Sequence, residues 1–300
     1  MEQFKHYLKQ AGTWLGLFLR SNWAYILWFA VHYFLAVAVL SIGMNTARAY
    51  LWATIAYGVS MAIALSPVGE FILRILQGAN DIQTEQDRNY LMPLFEEVYQ
   101  DALEQTPSLH KNIRLYISED KIPNGYAMGR KTIVLTRGAI DCFSRGELKG
   151  ILAHEFGHMA NGDTKASLMT IIGNSIFSLF ILACKIMMWI MNFFFSLASR
   201  QVFIVNIIHF IVRLLFDYSV LAFLFMGNLM LSLNSRYSEY LADDYAFQVG
   251  YGEELKRSMY LLNKMNMGGR RSLREWLMAS HPHMPARIKR LERKLELETV

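Results

Sequence analysis

The run HEFGH, from His154 to His158, decides the fold of the region around it. The stretch 148–153, which is apolar except for Lys149, leads into this run as one helix would. Residues four apart lie on one face of a helix, so the two histidines direct imidazole nitrogens at one ion. Zinc suits this site, because three protein ligands leave a fourth position for a water that Glu155 deprotonates. The alternative is a surface helix that carries two histidines by chance.

A catalytic zinc needs a third protein ligand, and a candidate lies well downstream. Glu239 and Asp243 are four apart in residues 235–244, SRYSEYLADD, which have helical character. We predict Glu239 as the third ligand of one Zn²⁺ per chain. Asp243 is predicted to orient a liganding histidine through its other ring nitrogen. The alternative is an ordinary solvated acidic face of a helix.

The ordered set of motifs along the chain resembles the HtpX-type integral-membrane zinc metallopeptidases, relatives of the CAAX prenyl proteases. The matching pieces are PNGYAMG at 123–129, EL at 147–148, AHEFGH at 153–158, NGD at 161–163, SR at 235–236, EY at 239–240, AD at 242–243, SHP at 280–282 and RI at 287–288. The family usually has Asn-Ala-aromatic-Ala-Thr-Gly before the metal helix, whereas this chain has Gly125 and Met128. No ligand position of the family pattern is missing.

The resemblance implies a gluzincin-like zinc peptidase domain. In zinc peptidases of this type, the stretch with Asn124, Gly125, Tyr126 and Ala127 forms an edge strand along the cleft. An edge strand pairs its free backbone groups with an extended peptide, so recognition depends mainly on the backbone. Proline at Tyr126 is therefore expected to remove an N–H that holds substrate.

The resemblance also places residues 280–282 and Arg287 in a segment that returns to the active site. It implies that His281 donates a hydrogen bond to the oxygen that gains charge in the transition state. The alternative for His281 is a capping or packing role before Pro282. Arg287 is expected to have a structural role, holding a zinc-ligand helix.

Composition indicates a membrane protein, because 53% of the residues are hydrophobic and only 18% are charged. A bilayer span takes about 20 consecutive apolar residues. Four runs qualify, at residues 23–42, 50–68, 168–190 and 201–233. The expected fold class is therefore membrane α-helical plus α+β, with four transmembrane helices and the zinc peptidase domain. The alternative for the third and fourth runs is a helical hairpin that dips into the bilayer or covers the site.

The runs divide the chain into four segments. Residues 1–70 hold an amphipathic segment and two membrane helices, and residues 71–167 hold the first part of the catalytic domain. Residues 168–234 hold the second helix pair, and residues 235–300 the second part of the catalytic domain. Lys and Arg are abundant between the pairs and after Arg236, which marks the cytoplasmic side. Both termini and the metal site are thus expected to face the cytoplasm, and the resemblance implies a bacterial cytoplasmic membrane.

Periodicity predicts the elements of the soluble part. Residues 113–118 alternate as a strand, and the β-branched residues 131–136 form another. Helices are predicted around residues 89–103, at 253–265 and from about Pro285.

Five ionisable residues lie inside the apolar runs: His32, Lys185, His209, Arg213 and Asp217. Arg213 and Asp217 are four apart and can neutralise each other inside the bundle or lie at the outer interface, although such residues are often functional. His32 is expected to pack or to lie at the interface rather than to bind a metal.

The net charge of +5 does not indicate a nucleic-acid partner. The C-terminal cations alternate with glutamates, which is typical of a solvated helix and also suits anionic lipid headgroups. Cys142 and Cys184 are too few for a disulfide framework and fit a reducing compartment.

These observations predict a zinc-dependent endopeptidase in the lipid bilayer. In the HtpX family this activity serves quality control, so the resemblance implies damaged, misassembled or unfolded membrane proteins as substrates. The alternative is a processing protease for one lipidated or membrane-anchored peptide. An alternative of another class is a membrane scaffold with structural zinc, but such zinc normally has four protein ligands. The sequence carries no signal for an oligomeric state.

Overall fold

The computed structural model describes residues 2–173, 181–183, 185–187, 189–190, 193–194, 203–265 and 284–298. The long helices and the strands of this part follow in chain order. They are α1 (Glu2–Gly43), α2 (Thr46–Ala64), α3 (Pro67–Leu76), β1 (Ala79–Asn80), α4 (Glu85–Gln105), β2 (Arg114–Ser118), β3 (Gly125–Met128), β4 (Thr132–Thr136), α5 (Arg137–Cys142), α6 (Arg145–Asn161), α7 (Asp163–Gly173), α8 (Phe203–Gln248), α9 (Gly252–Met265) and α10 (Met284–Glu298).

The four strands form one mixed sheet in the order β1-β2-β4-β3. β2 and β4 are parallel, from Arg114 opposite Thr132 to Ser118 opposite Thr136. Both strands that periodicity predicts are confirmed. β3 runs antiparallel to β4, and no strand of the described residues lies on its other side, so it is an edge strand of this sheet.

The sheet has two buried faces, because successive side chains of a strand point to opposite sides. Leu115, Ile117, Ile133 and Leu135 join the main core with residues of α4 and α6. Tyr116 and Val134 point the other way and meet Leu73 of α3 and Leu168 of α7 in a second cluster. The sheet therefore separates the main core from the helices that connect to the apolar runs.

The apolar helices differ from the four predicted spans. Asn22–Gly43 of α1 and Phe210–Gly227 of α8 are long and apolar enough to cross a bilayer. The second run is not one straight helix, because α2 and α3 meet at 68°. Ser66 caps α3 by accepting from the Val68 N–H, and Pro67 starts that helix, so a new helix axis begins there. The described residues thus hold two candidate spans, or three with the bent pair, and nine of the 23 residues of the third run lie outside them.

Aromatic packing joins α1 to α8. His32 lies 5.3 Å from the Phe223 ring, centroid to centroid, and 4.7 Å from the Trp28 ring. Gly227 permits the close approach, since a Cβ there would overlap the Trp28 ring. His32 packs against these aromatic rings, in agreement with the packing role expected of it.

Arg213 and Asp217 do pair, at 3.8 Å, but not inside a bundle. Their side chains are 57% and 49% exposed, so the pair lies on the outer surface of α8. Of the two alternatives, the interior pair does not hold for the part of the chain that the structure describes, because both side chains are exposed.

α8 continues from the candidate span into the soluble part without a break at residues 234–235. Twelve residues separate Gly227 from Glu239, which corresponds to about 18 Å along the helix axis. α8 therefore links the membrane region rigidly to the predicted metal ligand.

Candidate metal centre

The helix that carries the histidines is well delimited. Ser144 and Glu147 form a reciprocal capping box at the start of α6, and Gly162 ends it with a left-handed backbone at φ 81°. Helical geometry then places His154 and His158 one turn apart on one face, with their ring centroids 4.8 Å apart. The paired histidines follow from local sequence alone.

The two residues between Glu155 and His158 pack this helix against α4 and α8. The Phe156 ring is fully buried and stacks on Tyr99 of α4 at 5.4 Å. Gly157 faces α8, where a Cβ would lie 2.9 Å from the Ala242 Cα. α8 comes this close only because position 157 has no side chain, and this approach brings Glu239 to the histidines.

The three predicted ligands converge. His154 Nε2 lies 3.4 Å from Glu239 Oε2, and His158 Nε2 lies 3.8 Å from Glu239 Oε1. Three ligand atoms, one from each residue, lie within 4.8 Å of one another. Ligands about 2.0–2.1 Å from a tetrahedral zinc are about 3.3 Å apart. The set therefore fits one zinc ion after a small inward adjustment.

Each histidine is held through its other ring nitrogen by a carboxylate. His154 Nδ1 lies 3.1 Å from Asp243 Oδ1, and His158 Nδ1 lies 3.0 Å from Asp163 Oδ2. Such contacts fix the tautomer that leaves Nε2 free for a metal. The sequence argument named Asp243 but missed Asp163. The sequence signal for Asp163 is its position directly after the Gly162 cap, where the chain turns back toward His158.

Arg287 of α10 joins the carboxylates of α8. Its Nε and Nη2 donate to Asp243 at 2.8 and 2.6 Å, and its Nη1 lies 2.6 Å from Glu239 Oε2. The guanidinium is buried, so these contacts compensate its lost hydration. Arg287 thus lies where the resemblance implies, against the helix with the third ligand. His281 lies outside the described residues.

The electrostatics of this cluster favour positive charge at the histidines. Burial lowers the pKa of His154, but Asp243 and Glu239 outweigh burial and hold this pKa well above its usual value. Burial raises the pKa of Asp243, but Arg287 and His154 hold it below its usual value. The centre therefore stabilises a cation where a metal would be bound.

A cleft of about 490 Å³ opens over this centre. Its walls include both histidines, Glu155, Glu239 and the β3 residues Gly125 to Ala127. Glu155 is buried beside the ligands, one residue after His154. A Cβ on Gly125 would lie 2.6 Å from Ile151 Cγ2 and 3.8 Å from Glu155 Cγ. The glycine that departs from the family pattern therefore lets β3 lie directly against α6.

The register of β3 corrects one expectation. Thr136 N donates to Asn124 O, and Tyr126 lies opposite Val134. Hydrogen-bonded pairs recur every second residue in an antiparallel ladder, so the Tyr126 N–H points to β4. The outward groups are those of Gly125 and Ala127. Proline at Tyr126 would break the sheet itself, and Ala127 is the position that tests substrate pairing.

Tyr25 is a cleft residue that the sequence argument missed. It comes from α1, one turn after a break in helical geometry at Asn22. It lines the cleft together with Asp163 and Ser167 of α7. Its only sequence signal is a polar ring near one end of an apolar run, which is a common feature of membrane helices.

Similarity to known proteins identifies the family of this chain. The model of peptidase family M48 matches residues 86–295, which include every element of the candidate metal centre. The chain belongs to peptidase family M48. Members of this family are zinc-dependent metallopeptidases, and the chain is a metalloprotease of the HtpX type.

Three similar proteins support this assignment. Protease HtpX of Shewanella sp. strain MR-4 is 23% identical over 86% of this chain and 93% of its own length. An HtpX homologue of Halobacterium salinarum is 32% identical over 52% of this chain, and the match spans half of that protein. The crystal structure of S. mikatae Ste24p matches with a TM-score of 0.53 and 18% identity, covering 97% of this chain and 64% of that one. The fold is therefore Ste24p-like, and its apolar helices make the chain an integral membrane protein.

Proposed function

We propose that this protein is an endopeptidase that uses one zinc ion, held by His154, His158 and Glu239, to cleave polypeptides at the membrane surface. The observation that carries the proposal is the convergence of these ligands, with Glu155 beside them, in a cleft bounded by an edge strand. Three protein ligands leave one position open, which is the arrangement of catalytic rather than structural zinc.

Several residues of the cleft have separate roles in the proposed hydrolysis. Zinc, when bound, polarises the peptide carbonyl and makes water acidic enough to lose a proton near neutral pH. Glu155 takes the proton from the attacking water and then gives it to the leaving amine. Asp163 and Asp243 keep each histidine in the tautomer with Nε2 free. The outward backbone groups of Gly125 and Ala127 hold an extended substrate.

A donor to the carbonyl oxygen completes this mechanism. His281 is proposed for this role on the resemblance of residues 280–282 to the family motif. The phenol of Tyr25 is a second candidate, supported by its place in the wall of the cleft. The two candidates are separated by mutation below.

The proposed active site faces the cytoplasm. Tyr25, near the start of one candidate span, lines the cleft, and α3, which follows Ser66 after the end of α2, packs on the sheet of the catalytic domain. The short connection at the other ends, residues 43–46, carries no charge. Lys and Arg are concentrated on the catalytic side, which supports a cytoplasmic position.

Native Cys142 tests this orientation, because it is exposed on α5 of the catalytic domain. In a Cys184→Ser background, a membrane-impermeant maleimide should label Cys142 in inverted membrane vesicles and not in intact cells. Labelling in intact cells at the rate seen in vesicles would reverse the assigned side.

The proposed substrates are damaged or misassembled membrane proteins. A cleft beside a membrane helix and an edge strand that reads backbone favour extended segments near the bilayer with loose sequence preference. The second candidate, a processing protease for one lipidated or anchored peptide, is supported by the Ste24p-like fold. Sharp dependence of cleavage on one substrate side chain would favour this second candidate.

Glu155→Gln tests the central proposal. The purified variant should keep zinc at the parent stoichiometry, because all three ligands remain, while kcat falls by about 10²–10⁴-fold. His158→Ala, which removes a ligand, should lose zinc and activity together. Proteolysis by Glu155→Gln at the parent rate would contradict the assignment of the base. Inactivity of the zinc-loaded parent towards all unfolded polypeptides would favour the membrane scaffold.

A further inference from the structure

A second cavity, of about 190 Å³, lies where β2 and β4 begin. It shares no lining residue with the cleft at the metal centre. Three of its five lining residues are cations, and the other two are neutral: Arg74, Arg114, Lys131, Asn112 and Tyr116. The proposed mechanism uses none of these residues.

The fold brings the three cations together from distant parts of the chain. Arg114 N donates to Lys131 O at 2.7 Å, so these two residues lie side by side at the start of the parallel strands. Arg114 and Tyr116 are two apart on β2 and share one face of the sheet. The Arg74 guanidinium of α3 lies 4.8 Å from the Tyr116 ring centroid and donates to its hydroxyl. A buried tyrosine thus fixes one of the three charges.

No carboxylate lines this cavity, and within the described part of the chain none of its cations forms an ion pair. The buried Glu70 carboxylate, at the start of α3, accepts from Arg130 N, Lys131 N and the Thr132 hydroxyl instead. Burial lowers the pKa of nearby His110, and Lys131 and Arg130 lower it further and outweigh the opposing effect of Glu70. The region therefore holds concentrated positive charge that an anion would offset.

The position of α3 indicates what kind of anion has access. Its axis is bent by 68° from α2, so α3 lies nearly parallel to the bilayer plane when α2 crosses the bilayer. Half of its residues are exposed and apolar: Val68, Phe71, Ile72, Ile75 and Leu76. Arg74 of the same helix lies beside this apolar face, with its guanidinium 5.8 Å from the Phe71 ring centroid, and reaches the cavity. An apolar surface beside a cationic cavity matches an acyl chain beside a phosphate.

We propose that this cavity binds the headgroup phosphate of an anionic phospholipid, with the exposed apolar face of α3 against the acyl chains. The bound lipid fixes the depth of the catalytic domain at the membrane surface. The proposal rests on the arrangement of Arg74, Arg114 and Lys131 beside α3 and does not depend on peptidase activity.

The test uses the full chain in neutral detergent, titrated with short-chain phosphatidylglycerol and, separately, with short-chain phosphatidylcholine. The double variant Arg114→Gln/Lys131→Gln removes two exposed cations and leaves the Arg74–Tyr116 contact intact. The matched control, Arg257→Gln/Lys264→Gln, removes two exposed cations of α9 outside the cavity. Binding is measured by native mass spectrometry, and thermal unfolding verifies that each variant is folded.

The parent should bind phosphatidylglycerol more tightly than phosphatidylcholine. Each cation near anionic lipid contributes about five-fold in affinity, so the double variant should lose about 25-fold and the control nearly nothing. Equal loss in both variants, or none in the cavity variant, would overturn the site. If inorganic phosphate displaces the lipid at a comparable concentration, the ligand of the cavity is a small free anion, and the assignment of a lipid headgroup is overturned.

Discussion

Gly157→Ala tests whether close helix packing sets the metal geometry. In the parent, a Cβ at this position would lie 2.9 Å from Ala242 Cα and 3.0 Å from both Ala242 O and Tyr245 Cβ. Ordinary contacts are at least 3.4 Å. Two of the three neighbours are backbone atoms, which cannot rotate away. The new methyl group therefore separates α6 from α8 by about half an ångström, the shortfall from an ordinary contact of a close-packed interior.

This separation acts directly on the ligands. Glu239 is one turn before Ala242 on α8, whereas both histidines are on α6. Metal–ligand distances tolerate about 0.2 Å, so a half-ångström shift strains at least one bond. We expect zinc affinity to fall by about 10–100-fold, similar to the loss of an outer-shell partner. The free energy of unfolding should fall by about 1–3 kcal/mol through overpacking.

Zinc affinity is measured by competition with a chelator, and stability by thermal unfolding of the chelated protein. Gly146→Ala is the matched control, because it lies on the same helix and its Cβ would be 3.6 Å from the Glu254 Cγ. This control should bind zinc as the parent does. Parent-like zinc affinity of Gly157→Ala would refute the claim that the absent side chain at this position sets the ligand geometry.

The remaining predictions concern the substrate side of the cleft. Tyr25→Phe removes one phenol donor, and His281→Ala removes the other candidate. The variant that loses the true donor should show kcat lowered about 10²-fold or more with little change in KM. If kcat is the same in both variants and the parent, neither residue is the donor. Ala127→Pro removes an outward N–H, so KM should rise about five-fold, the equivalent of about 1 kcal/mol, at unchanged zinc content. Ala127→Gly keeps this N–H and should retain the parent KM; equal KM values in the two variants would argue against pairing of substrate with β3.

The sequence was sufficient for features that depend on local geometry. His154 and His158 share a face because any α-helix places residues four apart together. The strands at 114–118 and 132–136 follow from alternation and β-branched residues. Glu239 and Asp243 share a face of their helix by the same local rule. These features need no knowledge of the neighbours of the residues concerned.

Features that depend on packing between elements were not accessible from the sequence. Hydropathy measures the length of an apolar run but not its direction, so the bend at Ser66 was missed. The outward groups of β3 depend on its register with β4, which no pattern inside β3 specifies. The motif H-E-x-x-H does not specify the residue at position 157, and only the close approach of α8 explains why it is glycine. In each case, the missing information belongs to a second element.

The charge balance of the metal centre also emerges only from the assembled fold. Four buried carboxylates meet there, from Glu155, Asp163, Glu239 and Asp243, and the one buried guanidinium among the described residues around them is that of Arg287. With neutral histidines, this cluster has three uncompensated negative charges, which is costly in a buried site. A divalent cation leaves one negative charge, that of the carboxylate which accepts and returns a proton in the proposed mechanism. The same acids that contact the proposed ligands thus also favour a bound cation, and this links the proposed metal binding to the packing of α6, α8 and α10.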